Sequence, residues 1–210
     1  MGLADIIAKS ARAPSGLFGR VRFWLMGHET RAHNDIALEL LDVQPRDRVL
    51  EIGFGHGRTL LKLAALAPDG FVAGVDHSPL MVRLARRRHR LAIERGTMAV
   101  TEATSARIPY SDADFDRICA VHTIYFWSDP RRDFAEIGRV LKDGGRLVLG
   151  FRAKENALQH STKYPAAIYH FYDEQELAAW AREAGFDAIE FHRHRVGAIE
   201  LVFICASRRR

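Results

Sequence analysis

The residues that could do chemistry gather at the ends of three apolar runs. Val49-Leu50-Glu51-Ile52 carries one acid, Glu51, and leads into Gly53-Phe54-Gly55-His56-Gly57, after which Arg58-Thr59-Leu60-Leu61 opens a helix. Alternate glycines let a turn take positive φ and let a ligand approach the backbone with no Cβ in the way. A dinucleotide-binding turn needs G-x-G-x-x-G; here the third glycine comes one residue early. A second run, Phe71-Val72-Ala73-Gly74-Val75, ends at Asp76, the position from which an acid accepts hydrogen bonds from ribose hydroxyls. A third runs out into His122-Thr123-Ile124-Tyr125-Phe126-Trp127. An imidazole there can remove a proton or simply hydrogen-bond backbone or ligand. The rings of Tyr125 and Trp127 can line a pocket and attract a cation through their quadrupoles, or pack as core.

These residues need a sheet to hold them. Strands are predicted over 48–52, 71–75, 97–101, 117–121 and 146–151, with helices over 60–67, 79–94 and 130–141 between them. Such alternation argues for a parallel sheet covered by helices on both faces. Ser78-Pro79 reads as a helix start, Ser as N-cap and Pro at the first helical position. The end of the chain differs: after a helix over 174–184, strands at 188–195 and 199–206 are joined by a short turn at Gly197, a hairpin that makes the last strand antiparallel. The expected fold is α/β, a Rossmann-like three-layer sandwich on a mostly parallel seven-stranded sheet, preceded by an N-terminal helical extension with helices near 3–12, 17–26 and 30–41. In an open α/β sheet the ligand lies beyond the carboxyl ends of the strands where strand order reverses, between the ends of strands one and four.

The Glu51-x-Gly53-x-Gly55-x-Gly57 turn resembles the first motif of class I S-adenosylmethionine (SAM)-dependent methyltransferases, which suits a ligand with an amino-acid end and no phosphate. Further stretches resemble that family in its own order. Asp76 ends strand two; Ile108-Pro109-Tyr110-Ser111-Asp112-Ala113-Asp114-Phe115-Asp116 resembles its lead into strand four; Leu141-Lys142-Asp143-Gly144-Gly145-Arg146-Leu147 resembles its turn into strand five; Ala184-Gly185-Phe186 precedes strand six. The likeness runs from about Arg48 to Ala206 and implies a helical extension or lid over 1–44 and a SAM-binding domain over 45–210.

The resemblance implies roles residue by residue. Glu51 and Gly53 would serve the methionine end, Gly55 and Gly57 the close passage of the cofactor, Asp76 the ribose and His77 the adenine. Where the family often has an acid, this chain has Thr104, whose hydroxyl and the following Ser105 amide would take the adenine contacts. His122 is the candidate base, with cofactor binding as its other role, and Tyr125 its companion. The acceptor would meet Trp127 and two further segments. One is the stripe Leu17, Phe18, Val21, Trp24 and Leu25, followed by His28, His33 and Asn34, which reads as a lid, as plain helix packing or as a membrane-surface helix. The other follows strand five and carries His160, Tyr164, Tyr169, His170, Phe171 and Tyr172. The expected reaction moves a methyl from SAM, leaving S-adenosylhomocysteine, to oxygen or nitrogen of a small molecule. Alternatives are a lipid or quinone-like acceptor at a membrane surface, with peripheral contact, and a SAM-binding protein that does not methylate.

Composition fits one folded domain: 210 residues, 48% hydrophobic and 27% charged. No apolar run is long enough to span a membrane, no signal-peptide pattern opens the chain, and Cys119 and Cys205 sit in apolar strands as core thiols; cytoplasmic residence is expected. The net charge of +5 invites a nucleic-acid reading. Its densest source is the run Arg83, Arg86, Arg87, Arg88 and Arg90; helical spacing puts Arg83, Arg86, Arg87 and Arg90 on one solvated face and Leu80, Leu84 and Leu91 on another. No named nucleic-acid module and no Asp/Asn-Pro-Pro-aromatic motif follows strand four, so no nucleic-acid partner is expected. His192-Arg193-His194-Arg195 lacks Cys or acid partners at ligand spacing, so no metal is expected. A monomer and a homodimer fit the sequence equally.

Overall fold

The computed structural model describes residues 30–155 and 169–209. Helix α1 (Arg31–Leu41) leads into β1 (Arg48–Ile52), α2 (Arg58–Leu66) and β2 (Phe71–Asp76). Helices α3 (Pro79–Arg88) and α4 (Arg90–Glu94) then lead to β3 (Met98–Glu102) and β4 (Phe115–Val121). A 3-10 turn at Ile124–Phe126 precedes α5 (Pro130–Val140) and β5 (Leu141–Arg152); α6 (Glu174–Glu183), β6 (Phe186–Val196) and β7 (Ile199–Arg208) complete the chain. The seven strands form one sheet in the order β3-β2-β1-β4-β5-β7-β6. β7 runs antiparallel to both neighbours, β5 and β6, and every other pairing is parallel. The Rossmann-like α/β sandwich read from the sequence is the fold.

Successive side chains of a strand point to opposite faces, and here both faces are buried. Leu50, Ile52, Ile118, Leu147 and Leu149 pack with Phe134 and Ile137 of α5 and Leu177 of α6. On the other face Val49, Cys119, Val148 and Phe203 pack with Leu60 and Leu63 of α2 and with Met81 and Ala85 of α3. This double burial is why the strands read as near-continuous apolar runs. Helix α1, from the stretch assigned to the extension, belongs to the same layer: Ala37, Leu38 and Leu41 are buried in that second cluster. Residues 1–29, with the expected helices over 3–12 and 17–26, lie outside the described residues. Cys119 and Cys205 are free buried thiols, each paired in register with Val148 of the strand between them. Two strand spacings, about 9–10 Å, exceed the reach of a disulfide.

Two local expectations change. The single helix over 79–94 breaks at His89 (φ −103°, ψ 18°), whose buried ring turns inward to the carbonyl of Gly57. The break re-phases the short helix α4, so Leu91, expected on the apolar face with Leu80 and Leu84, is 58% exposed. Strand β5 starts at Leu141 instead of 146, because Leu141 already pairs with Phe115 before an irregularity brings Arg146 opposite Arg117. Among the described residues no helix is long and apolar enough to cross a membrane.

Ile118, fully buried at the middle of β4, tests the packing. Ile118→Ala is expected to lower the unfolding free energy by about 2–5 kcal/mol, read as a lower denaturant midpoint at unchanged m-value; a change below about 1 kcal/mol would contradict this core assignment.

Candidate active site

The turn after β1 is fixed from three sides. The Gly53 N–H donates to Val75 O at 2.7 Å and the Gly57 N–H to Phe54 O at 2.9 Å. Gly53 (φ 72°) faces the tip of β4 so closely that a Cβ would lie 2.3 Å from Thr123 Cγ2. Gly57 (φ 66°) is the N-cap of α2, and a Cβ there would lie 2.9 Å from His89 Nε2. His89 Nε2 lies 2.7 Å from Gly57 O, and Arg88 Nη1 donates to His56 O at 2.5 Å. The end of α3 thus clasps the glycine turn.

Asp76 joins this turn to the next. Its Oδ2 accepts the Gly55 N–H and its Oδ1 the Ser78 N–H, each at 2.9 Å. Burial raises its carboxyl above the ordinary carboxylate range, against the pull of those two N–H groups and of His77. His77 itself is exposed, its Nδ1 3.8 Å from Asp76 Oδ1. On the neighbouring strand Glu51 is also buried. Desolvation lifts its carboxyl to about 8, opposed by a hydrogen bond from Thr59 and aided by the Asp76 charge. Its Oε2 is buried without a hydrogen-bond partner, an uncompensated cost.

The tip of β4 holds a second network. His122 takes a left-handed backbone (φ 59°), unusual for a residue with a Cβ, and its N–H donates to Gly150 O at 2.8 Å. His122 Nδ1 lies 3.0 Å from Tyr125 Oη, and Nε2 lies 2.7 Å from His33 Nδ1 on α1. Tyr125 Oη accepts the Arg152 N–H at 2.5 Å. Burial first, then His33 and Arg152, push His122 down to about 3; burial and Arg152 push His33 down to about 4. Both rings are neutral at pH 7.

One cavity of about 410 Å³ connects the two networks. Of the candidate residues named from the sequence, Glu51, Gly53, Gly55, Asp76, His77, Thr104, Ser105, His122, Tyr125, Trp127 and Tyr169 line it. Gly57 does not; it is buried beneath, where it starts α2. Trp24, His28, His160 and Tyr164 lie outside the described residues. Thr104 is exposed and bridges to Arg107, whereas Ser105 is buried with its hydroxyl on Asp133. Tyr169 stacks near-parallel on Phe171 (ring planes 10° apart), and Phe126 lies 5.2 Å from Tyr169, giving an aromatic wall beside Tyr125. His33, expected to point inward, also lines the cavity. Sequence reasoning missed Asp133, His89 and Arg152. Asp133 is buried on α5 and lifted to about 6 by desolvation. None of the three belongs to a short motif; each reaches the site only through the packing of a distant element.

Residues 50–149 match the model of a family described as a methyltransferase domain. Demethylmenaquinone methyltransferase of Deinococcus radiodurans is 35% identical over 113 residues, covering 54% of this chain and 46% of that protein. The chloroplastic 2-methyl-6-phytyl-1,4-hydroquinone methyltransferase 2 of Oryza sativa subsp. japonica is 29% identical over 169 residues, 80% of this chain and 47% of that protein. The chain therefore spans less than half the length of these two relatives. Among solved structures, a chain of the complex that contains the Haloferax volcanii Trm112 methyltransferase activator superposes with a TM-score of 0.76 at 18% identity, covering 100% of this chain and 99% of that one. With the seven-stranded sheet and its antiparallel β7, the match over residues 50–149 makes the chain similar, in fold and in that part of its sequence, to class I SAM-dependent methyltransferases.

Glu51 makes stability depend on pH in a definite direction. Between its ordinary value of 4.5 and about 8 the folded chain holds a proton that the unfolded chain has lost, so stability falls as pH rises through that window. The depressed histidines act oppositely, but only below their unfolded value of 6.5. Glu51→Gln is therefore expected to reduce the loss of stability between about pH 6.5 and 8, measured by denaturant unfolding; equal slopes for the two proteins would remove Glu51 as its source.

Proposed function

We propose that the chain transfers a methyl group from SAM to a small aromatic acceptor of the phenol or hydroquinone class, at oxygen. The observation that carries this reading is that one cavity holds both an unpartnered buried carboxyl oxygen beside the glycine turn and an aromatic wall with an imidazole–phenol pair. The donor set fits the cofactor. Glu51 Oε2 offers the bond that the ammonium of its methionine end needs, and an ionised Glu51 is the form that cation selects. Gly53 and Gly55 let the ligand pass close to the backbone. Asp76, held by two N–H groups, presents a fixed carboxylate to two ribose hydroxyls. His77 flanks the adenine, and the Thr104–Ser105 turn, anchored by Asp133, meets its edge.

When bound, the cofactor supplies an electrophilic methyl on a positively charged sulfur. The chain's own residues do the rest. Tyr125, Phe126, Tyr169 and Phe171 hold the acceptor ring against that methyl, and orientation of this kind supplies several kcal/mol. The Tyr125–His122 pair takes the acceptor proton. The names of the two curated relatives, which speak of a hydroquinone and of a quinone, demethylmenaquinone, support an acceptor ring of the quinone or hydroquinone kind.

Incubating the protein with SAM and a panel of phenols, catechols and hydroquinones is expected to release S-adenosylhomocysteine together with a product heavier by one methyl. Tight SAM binding with no S-adenosylhomocysteine from any acceptor would overturn methyl transfer in favour of a SAM-binding protein of another activity. Asp76→Ala is expected to weaken SAM binding by about 1–3 kcal/mol in calorimetry, the cost of unmatched hydrogen-bond partners; unchanged affinity would refute the ribose assignment.

A further inference from the structure

His33 lies outside every sequence motif of the site, on α1, yet it is the residue bonded to the candidate base. It is 2% exposed, it lines the cavity, and its Nδ1 sits 2.7 Å from His122 Nε2 across a separation of 89 residues. A contact this short between two imidazoles requires one ring to donate and the other to accept. Which one donates decides what His122 can do. If His33 donates, His122 carries its proton on Nδ1 and has no lone pair to offer Tyr125. If His122 donates through Nε2, its Nδ1 is the basic nitrogen, 3.0 Å from Tyr125 Oη.

We propose that His33 is the positioning residue of the proton-accepting pair: it accepts the His122 Nε2–H, and so keeps His122 Nδ1 free of a proton and aimed at the Tyr125 hydroxyl. This rests on the methyl-transfer reading above. The logic is that of a base whose tautomer is set by a third group on its far side. Here that third group is a neutral imidazole instead of a carboxylate. Burial first, and then the charge of Arg152 at the end of β5, disfavour a positive charge on either ring and keep the resting pair neutral. The remaining His33 nitrogen, Nε2, is buried without a partner, so the ring gives up one hydrogen bond to hold this place.

The proton step balances. The acceptor oxygen forms its bond to the methyl with a lone pair, and the sulfur–methyl pair returns to sulfur, leaving a neutral thioether. The acceptor O–H proton goes to Tyr125 Oη as the Tyr125 proton goes to His122 Nδ1. The positive charge that left the sulfur ends on His122, with its Nε2–H still donated to His33. An O–H becomes strongly acidic as its oxygen bonds to carbon, so an imidazole of low basicity is sufficient.

The test uses the full chain, labelled with ¹⁵N, and three proteins: wild type, His33→Leu and His33→Asn. The amide oxygen of Asn can stand near the place of His33 Nδ1 and accept the same bond. Long-range proton–nitrogen spectra without cofactor are expected to show His122 protonated on Nε2 in the wild type and in His33→Asn, and on both nitrogens in a mixture in His33→Leu. Turnover in His33→Leu is expected to fall about tenfold to a hundredfold, with the KM for SAM within about twofold and most of the turnover recovered in His33→Asn. A wild-type His122 protonated on Nδ1 would overturn the proposal. So would full turnover in His33→Leu, or a parallel loss of turnover and SAM affinity that His33→Asn does not repair. Absence of S-adenosylhomocysteine from the wild type would overturn methyl transfer, and with it the catalytic part of the proposal, while the spectra alone decide the direction of the bond.

Discussion

The carboxylate of Asp76 is the tie on which the site's geometry depends. It ends β2, and its two oxygens receive N–H groups from two different loops, Gly55 after β1 and Ser78 before α3. A buried carboxylate without such partners costs several kcal/mol; with them it locks both loops in one arrangement. The same two bonds oppose the rise in its pKa that burial imposes. A ligand that bonds to this group meets an acceptor already fixed in place, so little ordering is left to be done on binding. Glu51 contrasts with it. It lies on the adjacent strand with one oxygen unmatched and is held neutral at pH 7. One acid is satisfied by its own chain and the other is not, and the unsatisfied one is the more responsive to a cation.

The glycine turn and Asp76 were legible because their meaning is local. Three alternate glycines, an acid at the end of an apolar run and Ser78-Pro79 each describe a few consecutive residues, and the sheet brings their ends together by topology alone. The parallel core was legible for the same reason, since burial on both faces makes a strand a continuous apolar run. What escaped was the set of long-range bonds. Nothing around His89 marks it as the residue that ends a helix to reach Gly57, 32 positions away. Helix periodicity runs through it unbroken, and only the competing hydrogen bond stops it. Asp133 looks like an ordinary acid in the first turn of α5, where it also suits the helix dipole; its burial under Ser105 is a fact of packing. The start of β5 at Leu141 escaped because Gly144-Gly145 reads as a turn, and the irregular pairing that absorbs it is set by β4.

The tips of β1 and β4 fit each other through two backbone departures that depend on one another. Gly53 has no Cβ, and Thr123 occupies the space a Cβ would need. The residue before Thr123, His122, is left-handed, a conformation costing roughly 1–2 kcal/mol in a residue with a Cβ. That cost is offset by three contacts: the backbone bond to Gly150, and the two ring bonds to His33 and Tyr125. Gly150 is itself a position where a Cβ would lie 2.6 Å from Phe203 Cε1, so β5 and β7 close up behind the turn.

This coupling explains why α1 belongs to the site as well as to the core. Ala37, Leu38 and Leu41 anchor the helix on the sheet, and the turn before them carries His33 over the end of β4. Loss of that helix would expose apolar sheet surface and also free one side of His122, whose left-handed backbone would then keep only two of its three offsetting contacts. Packing energy on one face of the sheet is thereby used to hold a strained histidine at the end of a strand. The strain and the histidine stand together where the cavity joins the glycine turn to the aromatic wall.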